Sequence, residues 1–192
     1  MTGVTQGHLL NGRVRYAQPA SGFRSGIEPV LLAAPIPAQP GQRVLEGGTG
    51  AGAGLLCLMA RVPDLTGWGV EIDAEQCALA RANAEQNGFT RLQILAGDLA
   101  TAHADGPFDH AFANPPYHRA SGTTSPDPAR SRAKRGIEGL LSEWAAALVV
   151  PLRRRGTLTF ILPAAELAAC IGAMAASGCP AEVVLPLWPK LH

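Results

Sequence analysis

The sequence predicts an α/β protein in which helices cover both faces of a largely parallel β-sheet, in three layers. Two observations carry this prediction. From residue 43 onward, short β-type runs alternate with helical patterns, and a glycine-rich turn follows the first of those runs. The chain has 192 residues, of which 47% are hydrophobic and 16% charged, so one domain over residues 1–192 with a buried core is expected.

Composition excludes several classes of protein. The 22 glycines and 16 prolines have no period, and the apolar content is too high for a disordered chain. No apolar run approaches the roughly 20 residues of a membrane span, and residues 1–11 lack the pattern of a secretory signal. We therefore expect a cytoplasmic protein without membrane contact. The cysteines Cys57, Cys77, Cys170 and Cys179 are far apart, which predicts buried free thiols and no bound metal.

Six strands and their intervening helices are expected in order along the chain. The strands are 43–46, 67–72, 92–96, 108–113, 157–162 and 182–187, and the helices are 52–61, 73–87, 137–152 and 164–177. The second helix has the clearest boundaries. Asp73 can cap its first turn, Gln76 follows three residues later as in a capping box, and Gly88 ends it.

Two regions interrupt the alternation of strands and helices. Residues 1–41 contain no clean strand, and a short helix is expected at 28–34 because Pro29 suits a first helical turn. Residues 118–136 are rich in Ser, Thr, Pro, Arg and Gly, which predicts a long loop.

A glycine-rich turn at 46–54 follows the first strand. Its glycines allow a tight turn from strand to helix and a close approach of the backbone to a ligand. Glu71 ends the next strand, 21 residues after Gly50, an interval at which a carboxylate can meet ribose hydroxyls. The pattern favours an adenosine-containing cofactor. It would also pass as a degenerate dinucleotide fingerprint, or as a turn with no ligand.

The sequence Asn114-Pro115-Pro116-Tyr117 lies just beyond the fourth predicted strand, at the edge where open α/β sheets bind ligands. Two prolines make a rigid turn, but a turn requires neither the asparagine before them nor the tyrosine after them. The composition of the chain makes a chance occurrence of this sequence improbable. We interpret it as a functional motif.

Four features follow one another along the chain: the glycine-rich turn, the strand-end acid, Gly97-Asp98 and Asn-Pro-Pro-Tyr. Their order resembles that in S-adenosylmethionine-dependent N-methyltransferases. The segment 22–34 and the tail 186–189 resemble the bacterial tRNA1(Val) (adenine-37-N6)-methyltransferase family, and the resemblance covers residues 12–189. It implies a Rossmann-like class I methyltransferase fold. It also implies S-adenosylmethionine as cofactor, with S-adenosylhomocysteine as product.

The resemblance assigns roles to particular residues. Gly48 and Gly50 would lie under the methionyl part of the cofactor, Glu71 would bind its ribose, and Asp98 would face its adenine amino group. Residues 1–41 would cover the cofactor. The expected cofactor-binding residues are Arg24, Glu28, Glu46, Gly48, Gly50, Glu71, Asp98 and Asn114.

The motif Asn114, Pro115, Pro116 and Tyr117 would be catalytic. The Asn114 side-chain oxygen and a proline carbonyl would accept the two amino hydrogens of an adenine, turning the nitrogen lone pair toward the donor methyl. Tyr117 would stack on the base, which must leave its nucleic-acid stack.

This sequence departs from the superfamily pattern in three places. Glu46 stands where Asp is more frequent, and Gly47 replaces an apolar residue, so either change could weaken cofactor affinity. After the predicted strand 182–187, too few residues remain for the usual seventh strand. The sixth strand would then pair with the fifth, leave an open edge, or borrow a strand from a second copy in a homodimer.

The predicted loop 118–136 is basic and follows the catalytic motif directly. Its cations would contact the phosphates of tRNA or another structured RNA, unless it is only a solvated surface loop. The expected substrate-binding residues are Tyr117, His118, Arg119, Arg130, Arg132, Lys134 and Arg135. The cluster Arg153–Arg155 is interpreted as a helix-end feature.

The expected reaction is therefore methylation of an adenine N6 in tRNA. One alternative is methylation of a protein glutamine N5, because an amide NH2 presents the same two hydrogens to the motif. Another is a cofactor-binding or RNA-binding relic without activity.

Overall fold

The computed structural model describes residues 3–21, 24–117 and 128–188, with side chains from residue 136 onward in the last range. Five parallel strands form one sheet in the order β5-β4-β3-β6-β7, and an antiparallel pair, β1-β2, precedes them. The strands are β1 Val4–Leu9, β2 Val14–Pro19, β3 Arg43–Gly47, β4 Thr66–Glu71, β5 Leu92–Ala96, β6 Phe108–Ala113 and β7 Leu152–Phe160. The helices are α1 Glu28–Ala33, α2 Ala53–Arg61, α3 Ala74–Gln86, α4 Pro128–Val149 and α5 Leu167–Ala176, with a short 3-10 turn at Ala164–Glu166.

Helices cover both faces of the sheet, which confirms the predicted α/β class and its three layers. On one face, Leu32 of α1 and Leu58 of α2 pack with Phe112 of β6 in one buried cluster. On the other face, Leu141 of α4 packs in a cluster that includes Phe108. Since apolar side chains point both ways from the central strands, β6 is buried throughout, and β3 and β4 are buried beyond their first residue.

The register of the central strands sets the position of the site. Gly47 at the end of β3 pairs with Val70 of β4 on one side and with Ala113 of β6 on the other. Parallel strands end at the same edge of a sheet. The residues that follow Gly47, Val70 and Ala113 are Gly48, Glu71 and Asn114. The three predicted motifs therefore lie side by side at this edge of the sheet.

Two of the three boundary signals of α3, Asp73 and Gly88, act as predicted. The Asp73 carboxylate accepts hydrogen bonds from the backbone N–H groups of Glu75 (2.8 Å) and Gln76 (3.1 Å). Gly88 follows the helix in the left-handed region at φ 73°, which glycine adopts without strain. The predicted helix at 28–34 is also confirmed as α1, with Pro29 in its first turn.

The amino-terminal hairpin was missed by the sequence analysis. β1 and β2 pair antiparallel across a turn that contains Asn11-Gly12, a dipeptide that favours hairpin turns. Asn83 of α3 and Asn87, the residue that caps its carboxyl-terminal end, hold β2 in place. Asn83 accepts from the Ala17 N–H and donates to the Ala17 carbonyl, both at 2.8 Å. Asn87, one helical turn later, bonds the backbone of Arg15 in the same way.

The predicted loop 118–136 is wrong for its second part, because α4 already begins at Pro128. Proline suits a first helical turn, and Ala, Arg and Lys in the following residues are good helix formers. Residues 118–127 lie outside the described part of the chain.

The carboxyl-terminal end of the sheet also differs from expectation. β7 begins at Leu152, so Arg153–Arg155 lie in an edge strand and not at a helix end. The Arg153 guanidinium is 2.8 Å from the Asp109 carboxylate. The predicted strand 182–187 is wrong, since no strand pairing involves residues 179–188 of the described chain. Pro180 and Pro186 lack the N–H that a ladder requires.

β7 is consequently an edge of the five-stranded sheet in the described residues, which is consistent with the expected lack of a seventh strand. Association through that edge stays a prediction. Every helix in the described chain is too short or too polar to span a membrane.

Candidate active site

The glycine-rich turn connects β3 to α2 and forms the floor of the site. Gly48 and Gly50 have φ values of 63° and 56°, in the left-handed region that favours glycine. A Cβ on Gly48 would lie 2.5 Å from Cη2 of Trp144 on α4, whereas a Cβ on Gly50 would meet open space. The turn therefore packs closely against α4 at Gly48 and faces a cavity at Gly50.

Glu71 at the end of β4 fixes this turn. One of its carboxylate oxygens accepts the Gly50 N–H at 2.8 Å, and the other accepts the Asp73 N–H at 2.9 Å. The residue is 9% exposed and lines the large cavity described below. Because each carboxylate oxygen has a second lone pair, Glu71 can hold the turn and still accept a bond from a ligand.

Glu46 at the end of β3 is buried beneath the turn. The Thr49 hydroxyl donates to its carboxylate at 2.6 Å and the Leu55 N–H donates to the same oxygen at 3.1 Å. Burial raises the pKa of the Glu46 carboxyl to about 8, although the two hydrogen bonds oppose that shift. A Cβ on Gly54 would come within 2.8 Å of the Glu46 carboxyl carbon. The longer acid at this position thus depends on a glycine in the first turn of α2.

Gly47 is the second residue of β3 that departs from the superfamily pattern. The space left by its missing side chain is filled by side chains from outside the strand. A Cβ there would lie 2.7 Å from a Leu99 methyl carbon and 3.2 Å from a Leu148 methyl carbon. Gly47 is buried in the described structure. The strand end is therefore tightly packed, although Gly47 has no side chain of its own.

A cavity of about 440 Å³ opens along the carboxyl edge of the sheet, a size typical of small-molecule sites. The lining residues are Gly48, Gly50, Val70, Glu71, Ile72, Asp73, Gln76, Gly97, Asp98, Leu99, Asn114, Pro116, Leu140, Glu143 and Trp144. Four of them are acidic and none is Lys or Arg. The described lining therefore suits a ligand with positive charge better than a polyphosphate.

A second, smaller cavity of about 30 Å³ lies on the hairpin side of the glycine turn. It is lined by Tyr16 and Gln18 of β2, by Ser25 and by Glu46, among others. The Tyr16 and Ser25 hydroxyls are 2.9 Å apart, and Gln18 accepts the Ser25 N–H at 2.9 Å. The hairpin therefore forms one wall of the site.

The predicted catalytic motif follows β6 at the same edge. Asn114 lines both cavities and Pro116 lines the large one, whereas Pro115 is buried. The Asn114 side chain has no hydrogen-bond partner among the described residues. The Tyr117 hydroxyl donates to the Ile161 carbonyl at 3.0 Å, and burial raises the pKa of this phenol.

Several predicted site residues do not reach the described cavities. Arg24 and Glu28 are exposed, and their neighbours Ser25 and Pro29 line the small cavity instead. His118 and Arg119 lie outside the described residues. The positions of Arg130, Arg132, Lys134 and Arg135 fall in the first turns of α4, but their side chains also lie outside the description.

Other lining residues were missed by the sequence analysis. Ile72 lines the large cavity and is 71% exposed, which is unusual for a large apolar side chain. Its position directly after the strand-end acid Glu71 is a signal in the sequence that could have identified it. Leu140 and Trp144 reach the cavity from α4, and nothing local in the sequence indicates which face of that helix meets the glycine turn.

Comparison with known proteins agrees with this geometry. The family model of the methyltransferase small domain matches residues 28–130. The tRNA1(Val) (adenine(37)-N6)-methyltransferase of Porphyromonas gingivalis is 32% identical over 160 residues, covering 76% of this chain and 61% of that protein. The release factor glutamine methyltransferase of Rhodospirillum rubrum is 38% identical over 102 residues, covering 52% of this chain and 31% of that protein.

Solved structures share the fold. TrmN from Thermus thermophilus superposes with a TM-score of 0.61 at 21% identity, covering 76% of this chain and 40% of that one. Precorrin-6y C5,15-methyltransferase from Geobacter metallireducens gives 0.61 at 13% identity, covering 85% and 75%. The chain spans about three fifths of the tRNA-modifying relative and about a third of the release-factor relative. A model match over more than half of the sequence shows that this chain belongs to the methyltransferase small domain family, which implies S-adenosylmethionine as methyl donor.

Proposed function

We propose that this protein transfers a methyl group from S-adenosylmethionine to the exocyclic N6 of an adenine in tRNA. One observation carries the proposal. Asn114 shares both cavities with Gly48 and Gly50, and shares the large one with Glu71 as well. A target-binding amide thus opens into the same space as the residues that would hold the cofactor.

The cavity lining fits this cofactor. S-adenosylmethionine carries a sulfonium and an ammonium group, which suit a lining with four carboxylates and no basic side chain. Glu71 would hold its ribose, and Asp98 would face its adenine amino group. Exposed Ile72 and buried Leu99 line the same cavity and offer apolar surface to the purine. When bound, the cofactor supplies an electrophilic methyl group.

On the target side, the chain's own residues would orient the amino group. The Asn114 oxygen and the Pro115 carbonyl would accept its two hydrogens, and the rigid diproline would keep both acceptors in place. The nitrogen would then be held nearer to tetrahedral geometry, with its lone pair toward the cavity floor. Alignment of this kind accounts for up to about 7–11 kcal/mol of a barrier in favourable cases.

Tyr117 would stack on the target base. The hydrogen bond from its hydroxyl to the Ile161 carbonyl restrains the ring, so the tyrosine can act as a fixed platform. In that role the phenol acts through its ring face and not through its hydroxyl.

The first turns of α4 support an RNA substrate. Leu140 and Trp144 of this helix line the cavity, and Arg132 precedes Leu140 by eight residues, about 12 Å along a helix. The positions of Arg130, Lys134 and Arg135 fall in the same stretch. Basic residues in this stretch would contact phosphates near the target base and make binding strongly dependent on salt.

Methylation of a protein glutamine is the second candidate, because the release-factor relative has the higher identity, 38%. The tRNA-modifying relative matches more of this chain, 76% against 52%. The experiment is incubation with radiolabelled S-adenosylmethionine and either total tRNA or release factors. We expect label in tRNA as N6-methyladenine, and label in protein alone would instead support the glutamine substrate. Tight binding of S-adenosylhomocysteine without any labelled product would favour a relic.

A further inference from the structure

One buried polar atom next to the glycine turn has no partner. Among the described residues, the side-chain oxygen Oε1 of Gln76 is buried without a hydrogen bond. Buried polar groups are normally paired, and an unpaired one costs free energy. An unpaired acceptor on a residue that lines a cavity points to a ligand that supplies the missing donor.

The local sequence explains why this oxygen is free. Gln76 occupies the third position of α3, where a glutamine side chain commonly accepts the backbone N–H of the capping residue. That residue is Asp73, and its N–H already donates to Glu71 at 2.9 Å. The Asp73 carboxylate does accept the Gln76 N–H at 3.1 Å. Only half of the capping box therefore forms, and the Gln76 amide oxygen is left unpaired.

The position of Gln76 connects this oxygen with the proposed cofactor site. Gln76 lines both the large and the small cavity, as Gly48, Gly50 and Asn114 do. It thus lies beside the glycine turn, between the wall formed by the hairpin and the edge of the sheet.

We propose that Gln76 binds the cofactor, its Oε1 accepting a hydrogen bond from a ribose hydroxyl or from the methionyl ammonium. The proposal rests on the proposed function, since it takes S-adenosylmethionine as the ligand. Both donors occur in that cofactor, and either would satisfy the oxygen. Glu71 would then act together with Gln76. By accepting the Asp73 N–H, Glu71 leaves the Gln76 amide oxygen without that donor.

The test compares two substitutions by calorimetric titration with S-adenosylhomocysteine. Gln76→Met keeps an unbranched side chain of similar length and removes the acceptor. We expect it to weaken binding about 3- to 30-fold, a loss within the range for one hydrogen bond to a neutral or charged donor. Gln76→Glu keeps an acceptor in the same place and should retain binding within about threefold.

The ligand-free proteins give a second measurement. Because Gln76→Met removes an unpaired buried oxygen, its melting temperature should equal or exceed that of the unsubstituted protein, by about 2–4 °C for each kcal/mol gained. If Gln76→Met melts at no lower temperature than the unsubstituted protein yet binds S-adenosylhomocysteine more weakly, the weaker binding reflects a lost ligand contact and not a folding defect.

Titration with 5′-methylthioadenosine, which has the ribose but no methionyl ammonium, distinguishes the two donors. Weaker binding of both ligands to Gln76→Met would identify a ribose hydroxyl, and weaker binding of S-adenosylhomocysteine alone would identify the ammonium. Unchanged binding of both would overturn the proposal. Failure of the unsubstituted protein to bind S-adenosylhomocysteine would defeat the proposed function instead.

Discussion

The two sides of the cavity differ in how their polar groups are used. On the side proposed to hold the cofactor, the carboxylates of Glu46 and Glu71 each accept two hydrogen bonds from the chain itself. On the side proposed to hold the target, the Asn114 side chain has no partner among the described residues. The two carboxylates are therefore held in place before any ligand arrives, whereas the Asn114 amide is unused.

The residues that organise the site, Glu46 and Glu71, are therefore distinct from Asn114, which is available for chemistry. Fixed backbone turns reduce the ordering required when a ligand binds. An unpaired amide at the cavity edge does not stabilise the fold, but it can form bonds that exist only with the target in place. Substitutions on the two sides should therefore affect different measurements.

The largest effect is expected from Asn114→Ala on the target side. If Asn114 acts only on the target nitrogen, turnover should fall about 10²-fold or more, the scale seen when a group that stabilises a transition state is removed. Affinity for S-adenosylhomocysteine should stay unchanged in calorimetry. Tyr117→Phe removes the hydroxyl bonded to Ile161 and keeps the ring, so it should lose less turnover than Asn114→Ala. Equal loss of turnover and of cofactor affinity would contradict the division between the two sides.

Glu71→Ala should break the cofactor side. It removes the acceptor of the Gly50 and Asp73 N–H groups together with the proposed ribose contact. We expect calorimetry to show S-adenosylhomocysteine binding about 10- to 100-fold more weakly, the range for hydrogen bonds to a charged group. Glu182→Ala, an exposed acid outside the site, should bind normally. Full affinity in the Glu71 variant would show that the turn holds its shape without this acid.

Gly54→Ala tests the packing beneath the turn. The added Cβ would meet the Glu46 carboxyl group, so the free energy of unfolding should fall by about 1–3 kcal/mol, as for other overpacked cores. Denaturant titration measures the change. Gly172→Ala in α5 is the control, because a Cβ there meets nothing within 4 Å and alanine favours a helix. If both variants were equally stable, Glu46 would not require the glycine.

The most gradual effect is expected from pH. The pKa of Glu46 is raised from 4.5 to about 8 in the folded protein, so the folded state binds more protons than the unfolded state between those values. Its contribution to stability is present below pH 4.5 and is lost as pH rises toward 8, by about 1.4 kcal/mol per pH unit at most. Glu46→Gln should flatten melting temperature against pH from 5.5 to 8. An identical slope in both proteins would mean that Glu46 is already charged near neutral pH.

Local signals predicted much of the cofactor side. Asp73 and Gly88 bound α3 as expected, and the positions of Gly48, Glu71 and Asn114 follow once the strands are known to be parallel. The hairpin could also have been predicted, since Asn11-Gly12 is a local turn signal. The sequence could not show whether residues 182–187 form a strand, because a strand needs a partner to pair with and residue type alone does not provide one.

Local signals predicted the order of strands and helices from residue 43 to residue 113, the glycine turn and the motif that follows β6. All of these depend on turn geometry, capping and periodicity within a few residues. Tertiary packing determines that Trp144 packs on Gly48 and that Gly54 makes room for Glu46. Each of these depends on the distance between atoms that packing or strand register brings together, which no single segment of the chain specifies.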